Sequence, residues 1–173
     1  MTKEDVPDRP LSPLGLLTVG LILALDQLGK EIAEARLPLG EATPVLPILD
    51  LYRVHNTGIA FSMLAGYSGL ALIVLTLLIS AGVLIFWWRA SEGGRLATVG
   101  YGLILGGAVG NLLDRIFRGH VVDFLLLHLG DWTLFVFNLA DAALTLGPIV
   151  LFLVYYWPRS RVGRNSPTKS GSR

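Results

Sequence analysis

The chain has 173 residues, of which 53% are hydrophobic and 16% are charged, and its mean hydropathy is positive. This composition excludes an ordinary soluble domain and indicates an integral membrane protein. The net charge of +1 is uninformative as a total, and we predict no nucleic-acid partner. The lack of cysteine excludes disulfides, thiolate metal sites and a cysteine nucleophile.

Four apolar runs predict four transmembrane helices, and the first of them covers residues 14–28. It follows a polar N-terminal segment, residues 1–13, and contains Asp26 near its end. A cleaved signal peptide is an alternative, because the sequence AEA at residues 33–35 has the small-x-small pattern of a cleavage site. Asp26 interrupts the apolar core and the pattern lies too far beyond it, so we favour a retained helix.

The other three runs are residues 69–88, 96–113 and 138–157. The first of these three has twenty residues and no charge, which is long enough to cross a hydrocarbon core of about 30 Å at 1.5 Å per residue. The second has glycine at every fourth position, at Gly102, Gly106 and Gly110. This spacing lets a neighbouring helix approach closely, and it could leave room for a substrate helix.

The segments between the helices predict a small amount of sheet. Residues 48–54 suit a short strand, and two apolar runs around Gly130 predict a hairpin. With the turn centred near Gly130, Asp123 would lie opposite Phe137. It would then be close to Asp141, which is 18 positions further along the chain. A slip of one residue would turn Asp123 to the other face of the sheet.

The basic residues predict the orientation in the membrane. Nine flank the helix ends that would share a side with both termini and five lie on the opposite side, which favours cytoplasmic termini. Residues 31–66 and 117–137 would then be extracytoplasmic. Residues 158–173, rich in Ser, Arg and Pro, would form a disordered cytoplasmic tail. This topology brings the polar residues of the helix ends together at the outer membrane surface.

Asp123 and Asp141 are the candidate catalytic pair. A carboxylate within a span costs about 2.5 to 3.5 kcal/mol to insert, so such an acid is a functional hypothesis by default. Asp141 also suits a structural position in the first turn of a helix capped by Asn138, and Asp123 also suits an outward-facing strand position. In one cleft, proximity and desolvation would leave one acid protonated and the other ionised, as in the aspartic proteases.

Other polar groups have more than one interpretation. Asn111, Asp114 and Arg115 share a helix face, and Arg115 would either bind a lipid phosphate or peptide carbonyl or take part in a structural network with Asp114. Asp26 and Lys30 have the spacing of a stabilising pair at the membrane interface. The spacing of the three histidines fits no metal site, and we predict neither a metal nor another cofactor.

Five sequence blocks, taken together, resemble the lipoprotein signal peptidases, also called type II signal peptidases. In chain order they are DQLGK at residues 26–30, NTGIAF at 56–61, GNLLDR at 110–115, GHVVDF at 119–124 and FNLADA at 137–142. They extend over all four predicted spans, residues 14–157, in the order of the family. The fold class expected is an all-α polytopic membrane protein, and the resemblance implies a small extracytoplasmic β-sheet and a flap over the cleft.

The resemblance also implies roles for individual residues. The catalytic aspartates of the family lie in its VVDF and FNxAD motifs, which here contain Asp123 and Asp141. Five residues are implied to shape or line the substrate site, namely Asn56, Gly58, Asn111, Arg115 and Asn138. The supporting polar shell is expected to consist of Asp26, Lys30 and Asp114.

The reaction that the resemblance implies is removal of signal peptides from diacylglyceryl-modified bacterial prolipoproteins, by cleavage just before the lipidated cysteine. The expected enzyme is a monomeric aspartic endopeptidase of the inner membrane, in contact with lipid and active at the extracytoplasmic face. Ile59 stands where the family usually has Ala, and Ala142 stands where it often has Ser. These departures would alter local packing or a hydrogen bond, but they remove no catalytic group.

Two other classes of function remain open. A proton-coupled transporter would relay protons through its acids, but it favours acids near the bilayer centre and inverted repeats, which four unrelated spans do not show. A non-enzymatic membrane subunit would use the polar residues to hold its helices together. Replacement of one aspartate by asparagine separates these classes, because an enzyme would lose turnover and keep its fold.

Overall fold

A computed structural model describes residues 6–58 and 69–156. The helices are α1 (Pro13–Arg36), α2 (Gly69–Arg89), α3 (Gly94–Phe117) and α4 (Leu139–Tyr156), and the strands are β1 (Ala42–Leu46), β2 (Leu49–Asn56), β3 (Val121–Leu129) and β4 (Trp132–Phe137). The fold is a mixed one, with four helices and a small antiparallel sheet. The expected label all-α is therefore too narrow, because all four described strands join in one sheet.

The helices agree closely with the apolar runs, and the largest difference is in α1. This helix begins after Ser12, whose Oγ accepts a hydrogen bond from the backbone N of Gly15 at 3.1 Å, and it has proline at its first position. It continues unbroken to Arg36, through the AEA sequence at residues 33–35. The helix continues beyond the apolar run, which ends at residue 28 because the residues that follow include several charged ones.

Among the described residues, three helices are long and apolar enough to cross a membrane, namely α2, α3 and α4. α1 has 24 residues, but Asp26 and Lys30 interrupt its apolar stretch. Both of these side chains are fully buried against the rest of the protein. The exposed face of α1 carries large apolar side chains, which include Leu17, Leu21, Leu25, Leu28 and Ile32.

α3 is the central helix and packs against each of the other three. Its glycine stripe, Gly102, Gly106 and Gly110, faces α1. A Cβ on Gly106 would come within 2.9 Å of Ile22, and one on Gly110 within 2.6 Å of an Asp26 oxygen. The predicted close approach of a neighbouring helix is confirmed. The neighbour is α1, however, so the stripe does not leave room for a substrate helix.

The sheet has the order β1-β2-β3-β4, and all neighbouring strands are antiparallel. β3 is therefore an inner strand that pairs with both β2 and β4. β4 leads directly into α4, which begins at Leu139. Asp123 on β3 and the first turn of α4 thus lie at the same side of the sheet.

The predicted register of the hairpin was wrong, although the predicted face of Asp123 is retained. Phe137 pairs with Leu125 rather than with Asp123. The observed pairing differs from the predicted pairing by an offset of two residues. One residue arises at the turn, where Leu129 pairs with Trp132, and the other arises from an irregularity in the ladder next to the turn. An offset of two keeps the side chain on the same face, because side chains alternate with a period of two.

Some of the predicted segments lie outside the described residues. These are residues 1–5 of the predicted N-terminal segment, residue 157 at the end of the last predicted span and residues 158–173, the predicted cytoplasmic tail. Residues 59–66, which include Ile59 and the end of the first predicted extracytoplasmic segment, lie outside as well.

Candidate active site

Asn138 caps the N-terminus of α4 together with Asp141. The Asn138 Oδ1 accepts a hydrogen bond from the backbone N of Asp141 at 2.9 Å, and the backbone N of Asn138 donates to Asp141 Oδ2 at 3.3 Å. The Asn138 carbonyl accepts the first helical hydrogen bond, from the N of Ala142 at 3.1 Å. This reciprocal arrangement is a capping box. The structural position expected for Asp141 is confirmed, and it does not exclude a catalytic role.

Asn138 also connects Asp141 to Asp123. Its Nδ2 donates to Asp123 Oδ1 at 2.7 Å, and it contacts Asn111 Oδ1 at 3.2 Å. Asn111 in turn donates its Nδ2 to Asp141 Oδ1 at 2.7 Å. Two side-chain amides therefore bridge two carboxylates that come from different elements of the fold.

Asp123 is buried on β3, where 2% of its surface is exposed, so the outward-facing alternative is wrong. Asn56 at the end of β2 donates its Nδ2 to Asp123 Oδ2 at 2.9 Å, and its Oδ1 accepts from the backbone N of Gly58 at 2.8 Å. Gly58 has a φ of 95°, which favours glycine at this turn. Burial raises the pKa of Asp123 to about 6, and the hydrogen bond from Asn56 opposes that rise.

A cavity of about 770 Å³ lies between α2, α3, α4 and β4. Five of the residues expected at the site form part of its wall, namely Asn56, Gly58, Asn111, Arg115 and Asp141. Ala142, one of the two departures from the family pattern, lies there as well. Asp123 is not among the described wall residues, but Asn56, which is hydrogen-bonded to it, is. Asp141 therefore faces the cavity, and Asp123 is connected to the cavity wall through its hydrogen bond with Asn56.

Most of the cavity wall is apolar, and the sequence analysis did not identify this part. α2 contributes four residues at helical spacing, Leu72, Leu75, Thr76 and Ile79. α4 and β4 contribute Leu144, Leu146, Phe135 and Phe137. The i, i+3, i+4, i+7 pattern on α2 is a possible sequence signal, but in a helix that is apolar all round it cannot be distinguished from lipid-facing positions.

Arg115 is half-buried on the cavity wall and donates its Nη1 to the carbonyl oxygen of Asn111 at 3.3 Å. The alternative pairing of Arg115 with Asp114 is wrong. Asp114 is bonded to Lys30 at 2.9 Å and to Arg118 at 2.6 Å. Among the described residues, Arg115 makes no ion pair.

Asp26, Lys30 and Asp114 form a buried ionic cluster next to the carboxylate pair. The Nζ of Lys30 lies 2.7 Å from Asp26 Oδ2, 2.9 Å from Asp114 Oδ2 and 3.0 Å from Asn111 Oδ1. The side chains of all three cluster members are 0% exposed. The expected pair of Asp26 and Lys30 is present, but it lies in the protein interior and not at an exposed interface.

The ionic cluster also holds the elements that carry the candidate catalytic residues. Asp26 Oδ1 accepts from the backbone N of Ala140 at 2.9 Å, next to Asp141, and Asp114 Oδ2 accepts from the N of Val122 at 3.1 Å, next to Asp123. Gln27 Nε2 contacts both cluster carboxylates at 3.2 Å. Gln27 was missed in the sequence analysis, although it stands in the DQLGK block beside Asp26.

Two histidines and a glutamate meet on the other side of β2. The rings of His55 and His120 are stacked with their centroids 4.0 Å apart, and His55 Nε2 lies 2.7 Å from Glu34 Oε1. Burial and the neighbouring His55 lower the pKa of His120. The prediction that the histidines fit no metal site was based on spacing along the chain. It missed this group, whose members come from α1, β2 and the connection between α3 and β3 and offer ligand atoms within 4.8 Å of one another.

Comparison with known proteins identifies the family. The family model described as "Signal peptidase (SPase) II" matches residues 18–157. Lipoprotein signal peptidases of Brucella ovis, Brucella abortus and Brucella melitensis are each 44% identical to the chain over 149 residues, covering 85% of this chain and 93% of each relative.

Two solved structures, each described as a bacterial membrane enzyme, have a similar fold. One has a TM-score of 0.76 and 25% identity, and it covers 88% of this chain and 96% of its own. The other has a TM-score of 0.78 and 24% identity, covers 95% of this chain and 99% of its own, and supports the fold alone. With the family model and the relatives, these findings show that the chain is a membrane peptidase that belongs to the signal peptidase II family.

Proposed function

We propose that this protein is an aspartic endopeptidase that removes signal peptides from diacylglyceryl-modified bacterial prolipoproteins, cutting just before the lipidated cysteine. Asp123 and Asp141 are its catalytic residues. Membership of the signal peptidase II family supports the substrate class. The observation that carries the aspartic mechanism is the pair of carboxylates bridged by Asn138, with Asp141 on the wall of a large apolar cavity.

The two aspartates divide the proton transfers between them. Asp141 faces the cavity, so it takes a proton from a water molecule whose oxygen attacks the scissile carbonyl carbon. Asp123, with its raised pKa, gives a proton to the carbonyl oxygen. The C–N bond then breaks, the leaving amine takes the proton held by Asp141, and the new carboxyl group returns a proton to Asp123. The two roles are assigned from access to the cavity. The pKa values do not assign them, because the two acids of a coupled pair titrate as a unit.

The residues around the pair bind and orient the substrate. Arg115 has five N–H donors, and one described contact, to the Asn111 carbonyl, uses Nη1. Its other donors suit a peptide carbonyl or a lipid phosphate in the cavity. Asn56 and Gly58 shape the wall next to Asp123, whereas Asn138 is fully buried and acts by positioning both aspartates.

All four helices are proposed to span the membrane, including α1. At 1.5 Å per residue its 24 residues are about 36 Å long, enough for a hydrocarbon core of about 30 Å. The two charged residues that interrupt its apolar stretch, Asp26 and Lys30, form an ion pair in the interior, and the opposite face carries the exposed leucines. Such a helix is compatible with the hydrocarbon core of the bilayer, although its average composition is too polar for hydropathy to identify it as a span.

The membrane topology follows from four spans and from the basic residues. Both termini lie in the cytoplasm, and residues 14–157 form the peptidase domain of an inner-membrane enzyme. The sheet and the aspartates then lie at the extracytoplasmic face, in segments 31–66 and 117–137 and the adjoining helix ends. The protein acts as a monomer in contact with lipid. A substrate helix arrives from the bilayer and reaches the cavity beside α2 and α4.

The positions of the acids disfavour a proton-coupled transporter. Asp141 lies in the first turn of α4 and Asp123 lies in a strand, so both are at the sheet end of the helices and not in the middle of a span. A proton path would need acids near the bilayer centre.

The test is cleavage of a diacylglyceryl-modified prolipoprotein by purified wild type, Asp123→Asn and Asp141→Asn, with thermal unfolding of each in detergent. We expect wild type to cut before the lipidated cysteine. Each variant should fold and lose at least about 10²- to 10⁴-fold in rate, the usual contribution of a catalytic acid or base. The matched control is Asp131→Asn, the same substitution at an exposed residue of the hairpin turn, which should keep full activity.

Two results would contradict the proposal. If a folded variant of either aspartate cleaves at nearly the wild-type rate, the pair is not the catalytic dyad. If both variants fail to fold while the control is stable, the aspartates are structural.

A further inference from the structure

We propose that Glu34, His55 and His120 form a binding site for a divalent cation, with Zn²⁺ as the favoured ion. The site lies beside the candidate active site but is separate from it, and the dyad mechanism does not use it. The three residues come from the end of α1, the end of β2 and the connection between α3 and β3.

The distances suit three ligands of one ion. Each residue offers a ligand atom, and all three atoms lie within 4.8 Å of one another. In a tetrahedral zinc site with bonds of about 2.0 to 2.1 Å, ligand atoms are about 3.3 Å apart. Glu34 Oε1 and His55 Nε2 are now 2.7 Å apart in a hydrogen bond, and the rings of His55 and His120 are stacked. Binding therefore requires the Glu34 and His55 ligand atoms to move apart and the two rings to tilt, so that each directs a nitrogen at the ion.

His120 supplies a second, independent observation. Its Nε2 is buried and has no hydrogen-bond partner among the described residues. A buried ring nitrogen without a partner carries a desolvation cost, and structures usually satisfy such atoms. A metal ion would satisfy it.

Arg53 orients the carboxylate of the proposed site. Its Nη1 donates to Glu34 Oε2 and to the Glu34 carbonyl oxygen, both at 2.8 Å. This leaves Oε1 directed at His55. Outer partners of this kind hold metal ligands in position. Arg53 also brings a positive charge close to the ion, so we expect weaker binding than in a closed structural zinc site.

The ligand types indicate which ion is preferred. Two imidazole nitrogens and one carboxylate oxygen suit Zn²⁺, whereas Ca²⁺ and Mg²⁺ prefer sites made of oxygen ligands. Three protein ligands leave a fourth position for water. The side chains of Glu34 and His55 are 29% and 36% exposed, so solvent can reach the site.

A bound ion would connect three elements that surround the aspartates. His55 directly precedes Asn56, which donates to Asp123, and it pairs with Val122 in the sheet. His120 comes three residues before Asp123. The ion would therefore fasten α1 to both strands that hold Asp123, and it would stabilise the fold on this side.

The experiment uses full-length protein purified without a histidine tag and treated with a chelator. Zn²⁺ is titrated by calorimetry, with Mg²⁺ and Ca²⁺ as comparison ions, and thermal unfolding is followed with and without Zn²⁺. We expect one Zn²⁺ per chain and a rise in Tm of about 5 to 10 °C at 100 times the Kd. X-ray absorption of the zinc form should show two imidazole ligands at about 2.0 to 2.1 Å.

His55→Gln and His120→Gln should each weaken binding by about 100-fold or more, beyond the usual effect of an outer partner. The control is His128→Gln. His128 lies on the same sheet but contacts Gly130 and Asp50, so this variant should bind Zn²⁺ like wild type.

The proposal is overturned if wild type binds no stoichiometric Zn²⁺, if its absorption spectrum lacks imidazole ligands, or if His128→Gln weakens binding as much as the other two. The absorption spectrum of wild type decides the matter without any variant, so a ligand variant that fails to fold does not prevent a conclusion.

Discussion

Asp114 and Asp123 are both buried carboxylates, nine residues apart in sequence, but their partners belong to different chemical classes. Asp114 contacts the cations of Lys30 and Arg118 at 2.9 and 2.6 Å. Asp123 accepts hydrogen bonds from the amides of Asn56 and Asn138, and among the described residues it makes no ion pair. Amides offer hydrogen bonds without cancelling the charge, and burial raises the pKa of Asp123 to about 6.

The comparison shows that burial alone does not distinguish a structural acid from a candidate catalytic one. A carboxylate paired with a cation in the interior is held in place by that cation, and removal of the cation leaves an uncompensated charge. A carboxylate held by amides keeps its position while it gains or loses a proton near neutral pH, which general acid–base catalysis requires. The ionic cluster and the dyad are adjacent, so substitutions in each can be compared in one molecule.

The largest loss of stability is expected from Lys30→Met. This change leaves Asp26 and Asp114 buried without the cation that they share. Breaking a buried ion pair on one side costs about 3 to 5 kcal/mol, which corresponds to a fall in Tm of about 6 °C or more in a chain of this size. Thermal unfolding in detergent measures the effect.

Arg36→Met is the matched control, because it removes the same charge from an exposed position at the end of the same helix. It should leave Tm within about 2 °C of wild type, since surface changes are usually within about 0.5 kcal/mol. Equal stability of the two variants would mean that the ionic cluster contributes nothing to the fold.

A smaller effect is expected from Gly110→Ala, which disturbs the cluster without changing its charge. The new methyl group would lie 2.6 Å from Asp26 Oδ2 and 3.3 Å from the Cβ of Ala140, so α1 must move away from α3. Such overpacking costs about 1 to 3 kcal/mol. Tm in the same detergent is the measurement.

Gly82→Ala is the control for this prediction. Gly82 lies within α2, and a Cβ there meets no atom within 4 Å. Alanine is the better helix former by about 1 kcal/mol, so Tm should be unchanged or slightly higher. If both alanine variants behave alike, the close contact of α1 with α3 is not what the glycine stripe provides.

The sequence predicted the helices and the candidate pair better than it predicted the contacts around them. Long runs without charge identify spans, and Asp141 follows Asn138 at the spacing of a cap, so both could be predicted locally. The alternative that placed Arg115 in a structural network with Asp114 was wrong. Adjacent residues on a helix point about 100° apart, whereas Arg118, one turn later, lies on the same face and forms the bond.

The remaining errors depend on tertiary structure. The observed register of the hairpin differs from the predicted one by one residue at the turn and one residue at an irregularity in the ladder. Neither feature has a clear sequence signal in an apolar strand. The glycine stripe packs against a neighbouring helix, and the spacing of the glycines does not indicate which helix that is. Glu34, His55 and His120 meet although they are up to 86 residues apart, so no local pattern could bring them together.

The smallest effect, and one that changes sign with pH, is expected from Asp123→Asn. In wild type the pKa of Asp123 rises from an ordinary 3.8 to about 6 on folding. The folded protein thus holds the proton more tightly than the unfolded chain. This contribution to stability is fully present below about pH 4 and is lost as the pH rises through about 6. A rise in pKa of this size corresponds to about 3 kcal/mol.

Asparagine does not ionise, but it forfeits one hydrogen bond of about 1 kcal/mol, because both Asp123 oxygens accept from amides. The variant should therefore be about 0.5 kcal/mol less stable than wild type at pH 4, where wild type has begun to lose its pH-dependent contribution, and about 2 kcal/mol more stable at pH 8. Tm measured from pH 4 to 8 tests this, with Asp131→Asn as the exposed control. If the plots of Tm against pH for wild type and Asp123→Asn are parallel, the pKa of Asp123 is not raised in the folded protein. The contrast with Asp114 would then fail. A crossing at about pH 4.5 would show that the fold gives up stability at neutral pH to keep this carboxylate in place, as expected of a catalytic group and not of a structural one.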